Sequence, residues 1–381
     1  MKLRVEGKIN QVKKILFLIH DLGQGGAEKV LVNLVNNMDY SKFDITVMTL
    51  FDVGVNRQFL SKEVKYKSVF KKMVPGNSHL MKLLSPQMLH KIFIKEHYDV
   101  EVAYLEGPCA RIISGCREKG TKLVSWIHIE QKSQKRSAQG FRSFKEACKC
   151  YGRFDRVVGV SETVKKDFQS LIPLDTEVKV LYNTNESDNI IALSQEAVEN
   201  NLFFNDEIKL VGVGKLLKSK GFNRILGIIK RLREAGYPVH LYILGIGSEE
   251  ESLKRFVSEN GMENYVDFLG YQTNPYKYVA CCDLFVCASY AEGFSTAATE
   301  ALILGIPVCT VEVSGMKEML GKNNEYGVVT LNDDESLYEG IRQMISVPGV
   351  LLHYKEKAKI RGKSFSTEET VNAVEKMILS L

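Results

Sequence analysis

ILFLIHDLGQGGAEKVLVNLVNN, residues 15–37, begins as an apolar run, Ile15–His20, and passes through the glycine-rich loop Gly23-Gln24-Gly25-Gly26. From Ala27 to about Asn37 its apolar residues Val30, Leu31, Leu34 and Val35 recur at helical spacing. A buried strand, a tight loop and a helix in that order open a parallel α/β unit. Working outward, Ile45–Leu50, Val100–Leu105, Lys122–Ile127 and Arg156–Val160 are further short apolar runs separated by helical patterns. The alternation predicts a doubly wound parallel sheet. A polar stretch, Asn183–Asn189, then reads as a linker or hinge. The pattern restarts in KLVGVGKLLKSKGFNRILGIIKRLREA, residues 209–235: a strand over Lys209–Val213, a loop over Gly214–Gly221 and a helix from Phe222 to about Ala235. Val239–Leu244, Val266–Leu269, Leu284–Ala288 and Val308–Val311 continue a second sheet. The predicted class is α/β, with two Rossmann-like doubly wound domains over residues 1–183 and 184–365. Ligands of open parallel sheets bind at the carboxyl ends of the strands, so two such sheets facing each other would enclose an interdomain cleft.

A length of 381 residues accommodates two domains, each large enough for its own core. With 25% charged and 45% hydrophobic residues, the balance is that of a water-soluble globular protein. No uncharged apolar run of ~18 residues predicts a membrane-spanning helix. The basic start leads into a run too short for a signal-peptide core, and no small-residue cleavage site follows. The eight cysteines form no C-x-x-C pair, and several lie in apolar runs, so buried thiols in a reducing cytosol are expected. A cytoplasmic location follows, with a peripheral position at the inner face of the membrane as its variant. The net charge of +5 is uneven: residues 1–183 hold 31 basic and 19 acidic side chains (+12), leaving 20 and 27 (−7) for the rest. A basic first half suits an anionic partner, although ordinary surface charge accounts for it equally. Its densest part, Gln131–Arg153, has Lys132, Lys135, Arg136, Arg142, Lys145, Lys149 and Arg153 against Glu146 alone. That segment could dock to anionic lipid.

The segment richest in chemistry is CASYAEGFSTAATEALILGIP, residues 287–307. A buried strand ends near Ala288, a turn follows at Ala291–Ser295, and a helix begins with small residues. Small residues let a ligand approach the helix N-terminus, where the N–H groups of Gly293, Phe294, Ser295 and Thr296 and the helix dipole favour a diphosphate. Glu300, one to two turns into that helix, could accept bonds from two vicinal ribose hydroxyls. Glu292 on the loop could accept them from a sugar. The bland alternative makes Glu300 a solvated helix residue and Glu292 a surface one. Lys215 and Lys220 flank the loop after Val213 and could neutralise a departing diphosphate, unless they merely solvate that loop. The first glycine loop lacks G-x-G-x-x-G spacing, so a dinucleotide-dependent dehydrogenase has little support. No D-x-D motif is present, and Asp333-Asp334-Glu335 reads as the acidic opening of a helix, so no metal is expected to be required.

These segments together resemble glycosyltransferase family 4, of the GT-B fold. The resemblance is carried by GQGGAEKVLVNL (23–34), VSWIHIE (124–130), VGVSETVKKDF (158–168), VLYNTNE (180–186), VGKLLKSKGF (213–222), LYILGIGSEEESLK (241–254) and VDFLGYQTNPYKYVACCDLFVCASYAEGFS (266–295). YLEGP (104–108) followed by WIH looks like the branch that builds capsule and surface polysaccharides in Gram-positive bacteria. The resemblance implies a retaining transferase without a cofactor, moving a hexose or N-acetylhexosamine from a nucleotide-diphosphate sugar, most often uridine-linked, to a glycan or lipid-linked glycan. It gives Lys220 to the diphosphate, and Lys215 stands where arginine is usual, losing the bidentate fork. Glu300 falls to the ribose, and Glu292 with Gly293, Phe294, Ser295 and Thr296 to the sugar and phosphates. It gives Gly25 and Gly26 to a first-domain loop that closes over the phosphates, and His128 to the donor sugar, with a structural histidine ending a strand as the alternative. Gly245, Gly247 and the run Gly270-Tyr271-Gln272 stand where the base is held. The last helix, about 366–381, is implied to cross back onto the first domain. Two other readings are a sugar-nucleotide epimerase of like fold and a non-catalytic transferase-like partner subunit. No nucleic-acid partner is expected for the transferase.

Overall fold

The computed structural model describes residues 12–23, 25–72, 81–198, 203 and 206–381, which form two units. Unit 1 comprises the described residues up to Val160, together with Val164–Leu181 and Val371–Leu381. Unit 2 comprises Ser161–Thr163 and Tyr182–Thr370.

Unit 1 is built on seven strands: β1 (Lys13–Ile19), β2 (Phe43–Phe51), β3 (Lys65–Phe70), β4 (Val100–Ala103), β5 (Lys122–Ile127), β6 (Arg156–Gly159) and β7 (Val178–Val180). Their order is β3-β2-β1-β4-β5-β6-β7, and every pairing is parallel. Ile15, Leu16, Phe17, Leu18 and Ile19 of β1 are all buried, as expected of a central strand covered on both faces. The chain runs outward from β1 to β3, then returns to lay β4 on the other side of β1. The direction of winding therefore reverses between β1 and β4.

Unit 2 repeats the plan with β8 (Ile208–Val213), β9 (Val239–Leu244), β10 (Val266–Gly270), β11 (Leu284–Cys287), β12 (Val308–Val311) and β13 (Val328–Thr330). The order is β10-β9-β8-β11-β12-β13, so its winding reverses between β8 and β11. Helix Phe222–Glu234 turns Ile225, Leu226, Ile228, Ile229 and Leu232 into a core shared with Leu210, Leu241, Ile243, Leu284 and Val286.

The helix Thr367–Leu379 contributes its residues from Val371 onward to unit 1. There Glu375 Oε1 accepts the Asp39 N–H at 2.7 Å, and Lys13 Nζ donates to the Ile378 carbonyl at 3.3 Å.

The stretch Asn183–Asn189, read as a linker or hinge, begins one residue after the chain enters unit 2 at Tyr182, but it is not an exposed connector. Asn183, Thr184 and Asn185 are buried, and a helix starts at Ser187. Side-chain donors replace water as partners of the backbone here, while the Asn183 and Asn185 amide oxygens have no partner among the described residues. Asn183 Nδ2 donates to the Phe294 carbonyl at 3.2 Å, and Thr367 Oγ1 donates to the Asn185 carbonyl at 2.8 Å. Asp333 caps the helix Asp334–Ser346 by accepting the Ser336 N–H, as its acidic opening suggests. All eight cysteines are free thiols. Among the described residues no helix is long and apolar enough to cross a membrane.

Candidate functional site

In unit 2 the carboxyl ends of β8 and β11 flank the reversal of winding, the place where open α/β sheets bind ligands. The loops that leave these strands are laced together. Gly221, with φ of +67°, starts the helix after β8, and a Cβ there would lie 2.2 Å from the Ala288 carbonyl oxygen. Only glycine takes this backbone conformation without strain while letting the two chains come so close. The Tyr290 N–H donates to the Ser219 carbonyl at 2.8 Å, and Arg224 Nη1 donates to the Ala288 carbonyl at 3.0 Å.

This lacing aligns the charged side chains. Lys220 Nζ lies 2.7 Å from Glu292 Oε1, and Ser289 Oγ donates to the same oxygen at 2.7 Å. Glu292 is 9% exposed, so it is no surface loop residue. Its Oε2 remains as an acceptor in a site already electrostatically balanced. The solvated-loop alternative for Lys220 therefore fails: its ammonium is committed to a buried carboxylate. Lys215 differs, being exposed on the rim of the loop.

Four residues further on, the helix Thr296–Ile303 begins. Ser295 is its N-cap and accepts the Ala298 N–H through Oγ, leaving the helix's first N–H groups to a ligand. The loop ahead of it is fixed from outside, with Ser161 Oγ on the Gly293 carbonyl at 3.4 Å and Asn183 Nδ2 on that of Phe294. Glu300 is 7% exposed, and Tyr276 OH donates to its Oε1 at 3.3 Å, so the solvated-helix alternative fails here too. Tyr276 was not singled out in the sequence. Its place four residues before Ala280 in a short helix carries no motif.

The glycines after β9 lie beside the loop after β8. Gly245 has φ of +138°, and a Cβ there would sit 1.9 Å from the Gly214 carbonyl oxygen, so a side chain would push the two loops apart. Gly247 lies against Leu216 in the same way. The Gly245 N–H donates to the Gly270 carbonyl at 2.8 Å, which brings the end of β10 into the same row, with Tyr271 exposed beside it. Of the residues named from sequence, Lys215, Lys220, Gly245, Gly247, Gly270, Tyr271, Glu292, Gly293, Phe294, Ser295, Thr296 and Glu300 thus line the carboxyl ends of one sheet.

Gly25, Gly26 and His128 belong to unit 1. Gly25 is the extended N-cap of the helix Gly26–Asn37, and the Glu28 carboxylate folds back to 1.8 Å from where a Gly25 Cβ would stand. His128 follows β5. Burial drives its pKa down to about 4 against a hydrogen bond to the Tyr104 carbonyl, so the ring is neutral with Nδ1–H as donor. Its Nε2 is buried and has no partner among the described residues. Two groups beside it were missed. Glu106 Oε2 accepts the His128 N–H at 3.2 Å, and Gln131 Nε2 donates to Glu106 Oε1 at 3.4 Å. Their signal is strand register: Ala103 pairs with Ser125, which sets Glu106 beside His128 three residues later.

Two family models match the chain in succession. One, "Glycosyltransferase Family 4", spans residues 24–199, and the other, "Glycosyl transferases group 1", spans residues 194–361. Over 365 residues the chain is 27% identical to the N-acetylgalactosamine-N,N'-diacetylbacillosaminyl-diphospho-undecaprenol 4-alpha-N-acetylgalactosaminyltransferase of Campylobacter jejuni, covering 93% of this chain and 96% of that one. It is 25% identical over 202 residues to the capsular polysaccharide biosynthesis glycosyltransferase CapM of Staphylococcus aureus, covering 50% and 52% of the two chains. Among solved structures, HepE of Anabaena in complex with UDP and glucose superposes with a TM-score of 0.76 at 19% identity, covering 97% of this chain and 100% of that one.

Proposed function

The chain is a glycosyltransferase of the GT-B fold, a family 4 region followed by a group 1 region, and from that premise we propose that it transfers a hexose or N-acetylhexosamine from a UDP-sugar, with retention, to a lipid-linked glycan. The observation that carries this reading is the Lys220–Glu292–Ser289 cluster, built on a buried carboxylate beside the N-terminus of the helix that holds Glu300. One end of such a site offers cation and N–H donors, as a diphosphate needs, and the other offers carboxylate acceptors, as ribose and sugar hydroxyls need. The UDP and glucose of the Anabaena structure and the diphospho-undecaprenol in the Campylobacter enzyme's name support the donor and acceptor classes.

In this reading Glu300 holds the ribose, Gly245, Gly247, Gly270 and Tyr271 hold the base, and the backbone of Gly293–Thr296 receives the phosphates. Glu292 accepts from a sugar hydroxyl through Oε2. The bond from the anomeric carbon to the diphosphate oxygen breaks as the acceptor oxygen arrives on the same face. The leaving diphosphate takes the acceptor's proton. Lys220, Lys215 and the helix N-terminus stabilise the charge that develops on it, which lowers the barrier because this charge is greatest in the transition state. Synthesis on a lipid-linked acceptor suits a protein working at the cytoplasmic face of a membrane.

The test is UDP release from a panel of UDP-sugars, with and without a lipid-linked glycan acceptor, and proton NMR of the product's anomeric centre. Acceptor-dependent release with the donor's anomeric configuration kept is expected. Sugar isomerisation without acceptor would establish the epimerase instead, and no turnover of any nucleotide sugar would point to the partner-subunit reading.

A further inference from the structure

The chain passes between its two units three times. Ser161–Thr163 belongs to unit 2 while its flanks belong to unit 1, and further passages lie between Leu181 and Tyr182 and between Thr370 and Val371. Within unit 2, residues at or near each passage converge on the loop Gly293-Phe294-Ser295. Ser161 is fully buried, its Oγ donates to the Gly293 carbonyl at 3.4 Å, and Ser314 Oγ stands 3.4 Å from it. Asn183 Nδ2 donates to the Phe294 carbonyl at 3.2 Å. The Tyr182 ring stacks on Phe294 with centroids 5.1 Å apart, and Phe365, five residues before the third passage, meets Phe294 edge-on at 5.9 Å. Glu318 accepts the Tyr182 hydroxyl at 2.6 Å and the Glu162 N–H at 2.8 Å, which ties the first two passages to one carboxylate.

Two of these bonds decide where the loop's N–H groups point. A peptide unit is planar and trans, so its C=O and its N–H point in opposite directions. The Gly293 carbonyl shares a peptide with the Phe294 N–H, and the Phe294 carbonyl shares one with the Ser295 N–H. Drawing the first oxygen to Ser161 and the second to Asn183 therefore turns both N–H groups away from those side chains. Neither N–H has a protein acceptor among the described residues. Gly293, without a Cβ, would leave its peptide free to turn, and the two side chains remove that freedom. The Asn183 amide gains little stability from this. It satisfies the Phe294 carbonyl, while its own Oδ1 is buried with no partner among the described residues. What it fixes is the direction of a peptide. We propose that Ser161 and Asn183 are positioning residues that aim the Phe294 and Ser295 N–H groups at the donor's diphosphate, so that the grip on the phosphates is set where the chain passes between its units. The assignment rests on the glycosyl-transfer reading and deepens it. It divides the donor site into a phosphate end that depends on these two residues and a nucleoside end that does not, since Glu300 takes its hydrogen bond from Tyr276.

The experiment uses the full chain with Asn183→Leu, which keeps the shape of the side chain and removes its donor, and separately with Ser161→Ala. UDP Kd is measured by calorimetry and uridine Kd by NMR titration. We expect each variant to weaken UDP about tenfold, the scale of one hydrogen bond to a charged group, and uridine by less than about twofold. The ratio of UDP to uridine affinity is the readout that a general loosening of the fold would not move. Should Asn183→Leu fail to fold, Ser161→Ala carries both expectations. An unchanged UDP Kd in a folded variant, or UDP and uridine weakening in step, would overturn the assignment. Failure of the transfer reading shows separately, as a wild-type protein that binds no UDP and turns over no UDP-sugar.

Discussion

Lys220 has two duties, and they predict different losses. Its ammonium neutralises the buried carboxylate of Glu292 at 2.7 Å, and it would meet the departing diphosphate during the reaction. Lys220→Met leaves Glu292 with Ser289 alone. Because the lysine side chain is 31% exposed, the stability cost is about 1 kcal/mol, well short of that of a fully buried pair. The loss of transition-state stabilisation is larger, about 2.7–4 kcal/mol or roughly 10²–10³ in rate. We therefore expect kcat of folded Lys220→Met to fall far more than donor KM rises, and Lys220→Arg to recover part of it with altered geometry. Near-normal kcat in the methionine variant would refute the phosphate role. Glu300→Gln should behave in the opposite way. It leaves the helix in place, keeps a carbonyl for the Tyr276 hydroxyl, and weakens ribose binding, so UDP affinity falls by about 1.5–3 kcal/mol. Titration calorimetry on a variant of unchanged circular dichroism decides it; equal affinity would remove Glu300 from the ribose. Both glutamates were legible in sequence as E-x7-E, because a strand, a small-residue turn and a helix surround them. Ser289 and Tyr276 were not, since a serine and a tyrosine acquire their role only from the neighbour the fold brings to them.

At the scale of elements, strands Val239–Leu244, Lys122–Ile127 and Val308–Val311 were readable to the residue, because inner parallel strands, covered on both faces, are mostly apolar. The edges were not. KYKSVF of β3 has alternating lysines and no buried residue, and VKV of β7 is three residues long, so neither stands out from a loop until its partner is known. Asn183–Asn185 hid their burial for the converse reason: polar composition signals an exposed connector, and the chain does pass between units beside them, but the Asn183 amide bonds buried backbone. The basic segment 131–153 needs the same element-level reading. Arg153 turns inward to the Ser114 and Cys116 carbonyls, Arg142 donates to the Leu83 carbonyl at 2.7 Å, and Lys132 lies 3.7 Å from Glu130. Lys135, Lys145 and Lys149 remain exposed and have no carboxylate partner among the described residues. We propose that these three carry any attraction to anionic lipid, at about 1 kcal/mol each. Wild-type protein should sediment with phosphatidylserine vesicles at low salt and release as salt rises. Replacing all three lysines by glutamine should weaken binding roughly hundredfold. Absence of wild-type binding at low salt would dismiss the membrane surface.

For the whole molecule, the question is whether a metal takes part. Unit 2 offers counter-charge for a diphosphate in Lys220, Lys215 and the N-terminus of the helix Thr296–Ile303, the part a divalent ion would otherwise play. Among the described residues the cluster that could offer three metal ligands is His90, Glu101 and Cys116, buried in unit 1. It is already satisfied: His90 Nε2 lies 2.8 Å from Glu101 Oε2, and although burial lowers the ring's pKa, hydrogen bonds to Cys116 and Glu101 raise it to about 9. A protonated imidazole there holds the place a cation would need. UDP should therefore bind, and the sugar should transfer, without added metal. UDP at about 100 times its Kd adds about 2.7 kcal/mol to the folded state, which for a unit of this size raises the melting temperature by roughly 5–10 °C. Thermal shift measured in excess EDTA and in manganese or magnesium should give the same increment, and turnover should survive EDTA. If EDTA abolished the shift and manganese restored it, the diphosphate would require an ion, and the lysines and helix N-terminus could not be its sole counter-charge.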